Sequence, residues 1–88
     1  MLRIRRSEEG GFAVFALSGQ IDQELVPEVR NILTAERDIG GIKLDLEELR
    51  LVDREAVKFL DACEVNGIQL ANCPSYIREW IETGRNRL

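Results

Sequence analysis

The chain has 88 residues, 44% hydrophobic and 32% charged, with seven glycines, two prolines and a formal net charge of −4. That length accommodates one domain, residues 1–88, and the composition excludes disordered, collagen-like and low-complexity classes. No apolar run approaches the roughly 20 residues needed to cross a bilayer, so no membrane insertion is expected. Arg3, Arg5 and Arg6 are followed by no apolar stretch, so no secretory leader is expected and a cytoplasmic location follows by default.

The sequence contains no histidine. Ser–His and Cys–His nucleophile pairs and His-ligated zinc are thereby excluded. Cys63 and Cys73 are too few for a four-ligand metal site and too far apart for a redox CxxC pair, so both read as small hydrophobes. Phosphate-cradling GxGxxG and GxxxxGK[ST] loops are absent. Glu47–Glu48 and Asp61 with Glu64 offer paired carboxylates, but without a basic partner or a Gly-rich loop they read as a solvated face. The expectation is a protein that is not an enzyme, with no catalytic residue, metal or cofactor.

Charge is unevenly spread. Arg3, Arg5, Arg6, Arg85 and Arg87 lie in end segments without acids, while residues 7–84 hold seven basic and sixteen acidic side chains. An acidic body of this kind argues against nucleic acid, which demands clustered Lys and Arg.

Along the chain, Leu2 and Ile4 alternate with Arg3 and Arg5, the period of a half-buried strand. Glu9-Gly10-Gly11 supplies a turn. Phe12 to Ser18 is almost wholly apolar and fits a central strand covered on both faces, antiparallel to the first. Leu25, Val26, Val29, Ile32 and Leu33 then follow helical spacing, with Pro27 in the first turn, predicting a helix from Leu25 to about Arg37. After Gly40-Gly41, Ile42 to Leu46 alternates again as a strand. Asp53 is placed as an N-cap with Glu55 behind it, ahead of an apolar face of Ala56, Val57, Leu60 and Cys63 that Asn66-Gly67 closes. Ile68 to Ala71 is a short strand. Ser75 is the expected cap of a last helix with Tyr76, Ile77, Trp80 and Ile81 as its core face, and Gly84 is its expected stop. The order β-β-α-β-α-β-α predicts a small α/β domain with a mixed four-stranded sheet and about three helices.

Three segments together resemble one family. Leu17-Ser18-Gly19-Gln20-Ile21-Asp22 is similar to the L-x-G-x-[ILV]-D signature of STAS domains, the modules named for sulfate transporters and anti-sigma factor antagonists. The run from Leu44 to Asp53 resembles the family's third strand and the loop to the Asp before its second helix. Ile68 to Ser75 resembles its last strand and Asn-x-Pro-type turn. The resemblance implies a STAS-like fold and a non-enzymatic protein–protein interaction module of the anti-sigma factor antagonist type. It also implies a partner-binding surface at Asp53, Arg54, Glu55, Ala56, Lys58 and Asp61. Asp22 and Asp53 carry structural readings beside any functional one.

One departure from the family stands out. Switch-type members carry Ser or Thr after the Asp, and here Arg54 occupies that place. No phosphorylation is therefore expected at Arg54, and its guanidinium suits a carboxylate or phosphate on a partner. The implied partner is a kinase-like anti-sigma protein. The alternative is an accessory STAS subunit of a lipid-transport ABC complex, docking on its ATPase or permease. A homodimer through an exposed edge of strand two is a further expectation.

Overall fold

The computed structural model describes residues 1–36 and 41–85. Its elements are β1 (Leu2–Glu9), β2 (Phe12–Ile21), α1 (Val26–Thr34), β3 (Ile42–Asp45), β4 (Leu49–Val52), α2 (Arg54–Val65), β5 (Gln69–Ala71) and α3 (Ser75–Arg85). β1 and β2 form an antiparallel hairpin whose two-residue turn puts Gly10 and Gly11 at φ of 55° and 86°. Both values lie where only glycine sits without strain, the requirement of a type I′ turn.

The sheet has five strands rather than four, in the order β1-β2-β3-β5 with β4 also on β2. The added strand is Leu49–Val52, expected as loop because Arg50 and Leu51 give it no alternation. It pairs in parallel with Gly19–Ile21, beyond the stretch Ala13–Ala16 that pairs with β3. β2 is long enough to serve both neighbours in succession, with a register shift at Gly19, whose φ of 98° brings the backbone against the Met1 carbonyl. β2 is therefore the central strand. It is paired along both sides, by β1 on one and by β3 and β4 on the other, which corrects the expectation of a free edge on strand two.

All three helices lie on one face of the sheet. Ala13, Phe15, Leu17 and Ile21 of β2 join Leu44 of β3, Val29 and Leu33 of α1, Leu60 and Cys63 of α2, and Ile77 and Ile81 of α3 in one buried cluster. Alternation along the strands sends Val14, Ala16 and Ser18 to the reverse face. The register sets them beside Ser7, Arg5 and Arg3 of β1, and Lys43 and Asp45 of β3 flank Val14 and Ala16 there. On that face the Lys43 ammonium stands over the Phe12 ring, 5.1 Å from its centre.

Three helix boundaries differ from expectation. α1 ends at Thr34, with Ala35 as C-cap, and Arg37 lies outside the described residues. The Pro74 carbonyl accepts the first bond of α3, from Arg78 N–H at 3.0 Å, so Ser75 is the first helical residue and not the cap. Gly84 lies inside α3 and does not stop it.

Candidate partner-binding surface

The centre of the candidate surface is the turn that leaves β4 and enters α2. Asp53 is the N-cap: its backbone is extended, and its Oδ1 accepts the Ala56 N–H at 2.9 Å. Its other oxygen, Oδ2, accepts the Gln23 N–H at 2.9 Å, thirty residues away in sequence. One carboxylate thus closes the start of α2 and pins the loop between β2 and α1 to it. Asp22 organises that loop from within. Its Oδ1 accepts the N–H groups of Glu24 and Leu25, and its carbonyl accepts from Leu25 and Val26. Asp53 and Asp22 are both structural in this sense.

With the cap fixed, the first turn of α2 divides sharply between surface and core. Arg54 is exposed and makes no hydrogen bond or ion pair among the described residues. Glu55 is exposed and meets the Lys58 ammonium at 3.5 Å, an open contact worth little. Ala56 is 0% exposed and belongs to the core cluster. Its expected place on the binding surface is therefore corrected: the methyl faces the sheet, and the wheel of the helix allows nothing else once Leu60 and Cys63 point inward. Lys58 is exposed. Asp61 is half-buried and paired with the Arg85 guanidinium, whose Nε donates to Oδ1 at 2.7 Å.

Two grooves flank this ridge. On the α3 side a groove of about 330 Å³ is lined by Arg54, Val57, Lys58, Asp61, Trp80 and Gly84 among others. On the α1 side a wider one of about 510 Å³ is lined by Gln23, Pro27, Arg30, Glu55, Lys58 and Phe59 among others. Lys58 borders both, and the Arg30 guanidinium lies 5.5 Å from the Phe59 ring centre in the second.

Trp80 enters this surface where core was expected. It is 40% exposed and Tyr76 is 45% exposed, whereas Ile77 and Ile81 are buried. The signal was present in the spacing: Ile77 and Ile81 form one i,i+4 stripe, and Tyr76 and Trp80 form the adjoining one. Their polar atoms favour the rim of a core. The Tyr76 hydroxyl donates to the Leu49 carbonyl at 3.3 Å, which ties α3 to β4, and burial raises the phenol above its ordinary pKa.

Below the surface, Glu64 accepts a two-pronged bond from Arg78 at 2.8 and 2.9 Å and a further one from Arg85. The Arg78 guanidinium, ahead of Arg85, lowers this carboxylate to about 2. Cys63 is buried beneath α2, and loss of hydration pushes its thiol up to about 11. Among the described residues no cluster of three acidic or cysteine side chains is arranged to hold a metal ion. No described helix is long and apolar enough to cross a membrane.

No protein-family model and no curated protein matches the sequence. Solved structures do match. The chain is similar to an anti-sigma factor antagonist from Mycobacterium paratuberculosis, with a TM-score of 0.76 and 20% identity over 99% of this chain and 81% of that one. It is also similar to an antisigma-factor antagonist STAS domain from Rhodobacter sphaeroides, with a TM-score of 0.64 and 13% identity over 81% of this chain and 86% of that one. The fold is that of anti-sigma factor antagonist STAS domains, as the three sequence segments implied.

Proposed function

We propose that the chain is a non-enzymatic, regulatory protein–protein interaction module of the anti-sigma factor antagonist type, acting in the cytoplasm. Its docking surface is the exposed start and outer face of α2, made by Arg54, Glu55, Lys58 and Asp61. Asp53 positions the surface, and Trp80 borders it. The observation that supports this most is the contrast at the first turn. Asp53 commits one oxygen to the start of α2 and the other to the β2–α1 loop, while the next side chain, Arg54, stands exposed.

Two solved structures that share this fold carry the name of anti-sigma factor antagonists. A partner of that class, a kinase-like anti-sigma protein, would meet a fixed cation here. Arg54 has no hydroxyl to accept a phosphate, so the surface is not switched at this position. Its guanidinium is suited to a carboxylate or phosphate of the partner.

The test is affinity capture from the native cell extract with the wild-type chain and with Arg54→Glu as baits. Retention of a histidine-kinase-like anti-sigma protein by the wild type, and its loss from Arg54→Glu, is the expected result. Retention of an ABC ATPase or permease instead moves the module to lipid transport. Equal retention by both baits removes Arg54 from the surface. Folding is not the confounder, because replacing a cation by an anion at a helix start favours the helix by about 0.3–1 kcal/mol.

A further inference from the structure

β1 is a long strand for a sheet edge, and its outer side is open. It spans Leu2–Glu9 and pairs with β2 alone. The Met1 carbonyl accepts the Gln20 N–H at 3.1 Å, and the hairpin register then directs the backbone of Arg3, Arg5, Ser7 and Glu9 toward β2. The N–H and C=O groups of Leu2, Ile4, Arg6 and Glu8 are left facing outward. Such an edge is a template for another strand.

The side chains specify which strand. Residues 5–9 read Arg-Arg-Ser-Glu-Glu, so the sign of charge inverts about Ser7. Laid antiparallel against a second copy with Ser7 on the two-fold axis, Arg6 meets Glu8 of the partner copy and Arg5 meets its Glu9. Each contact is made twice. Neighbouring registers that keep the two sheets in plane set Arg5 on Arg5, Arg6 on Arg6 or Glu8 on Glu8, which like charges disfavour. The outward backbone groups agree with the matched register, since Arg6 and Glu8 would exchange both hydrogen bonds across the axis. Arg5 and Glu9 have no ion-pair partner among the described residues. Arg6 is already held within its own chain by Glu36 at 2.8 Å and Glu8 at 3.2 Å, so Arg5 and Glu9 carry most of the selection.

We propose that two copies of this chain pair through β1, antiparallel and centred on Ser7, joining their sheets into one. The occupant of the edge is thus a second copy, chosen by a charge pattern that is self-complementary in this register. A two-fold axis normal to the sheet keeps all helices on one side and leaves the α2 surface free, so this inference does not rest on the function proposed above. The overlap is short against the roughly 1,600 Å² of a standard interface, so the dimer is concentration-dependent and weakens in high salt.

Sedimentation velocity on the full chain, from micromolar to millimolar concentration, tests it. The expected result is a monomer–dimer equilibrium that Arg5→Glu and Glu9→Arg each weaken by about tenfold, and that the double swap Arg5→Glu/Glu9→Arg restores. A chain that stays monomeric to millimolar concentration, or a swap that restores nothing, overturns the proposal. Register is read separately by mild oxidation in a Cys73→Ser background. Facing residues of a pair without backbone bonds have Cα atoms about 4.5 Å apart, within disulfide reach. Ser7→Cys should cross-link to itself and Arg5→Cys should not. Equal cross-linking of the two overturns the register.

Discussion

The first two helices enter the same side of the sheet by different means. α2 has twelve residues, a carboxylate cap and five buried side chains, and it packs against α1, α3 and β5. α1 has nine residues, no side-chain cap at Leu25 and three buried side chains. Its start is satisfied from outside, by Asp22 in the preceding loop, and Pro27 removes one donor that would otherwise need a partner. The loop that starts α1 is in turn fastened to the cap of α2 through Gln23. α2 is thus the element on which the others are set, and the candidate surface inherits its rigidity.

That contrast can be broken most severely from the core. Leu60→Ala, at a fully buried position on α2, should cost about 2–5 kcal/mol in urea unfolding. Leu33→Ala, at the rim of α1, should fall at the lower end of that range. Equal losses would put the two helices on the same footing. Next in size, Asp53→Ala removes a cap and a loop tie together and should cost about 1–3 kcal/mol, against about 0.5–2 for Asp22→Ala. Amide exchange adds a sharper distinction: Asp53→Ala should free the Gln23 N–H, whereas a loop that α1 holds by itself would keep it protected.

The smallest effect concerns the link between α2 and α3. Glu64 is held near 2, below the ordinary 4.5, so its stabilising contribution is complete above about pH 4.5 and is lost as the pH falls toward 2. Glu64→Gln should therefore flatten the stability profile across that window and cost about 1 kcal/mol at neutral pH, as expected of a solvent-screened pair. An unchanged acid limb in the variant would show that the Arg78 and Arg85 contacts carry no net stability.

Much of the frame was legible because local chemistry and the fold agree. The Gly10-Gly11 hairpin, the Asp53 cap and the inward stripe of Ala56, Val57, Leu60 and Cys63 each follow from one rule acting on a few residues. The misses arise where two rules compete. β4 shows the burial pattern of Leu49 and Val52 in, Arg50 and Leu51 out, which carries no period of two, and only its pairing with the far end of β2 makes it a strand. Ala56 was placed on the surface because the resemblance points to a stretch of sequence, and a helix start presents only some of its residues outward. Helical spacing counts Trp80 into the apolar face of the last helix, although Ile77 and Ile81 fill the inward stripe of α3. Asp53 was visible as a cap, but its second bond to Gln23 depends on how β2 and β4 lie together, which no local pattern encodes.

The buried thiol beneath α2 has a consequence of its own. With its pKa near 11, Cys63 carries almost no thiolate at neutral pH, although it lines an open groove with Arg30, Phe59 and Ile68. Its alkylation is therefore slow at neutral pH and quickens as the pH rises toward 11, so the thiol reports how dry the inner face of the helix that presents Arg54 is kept.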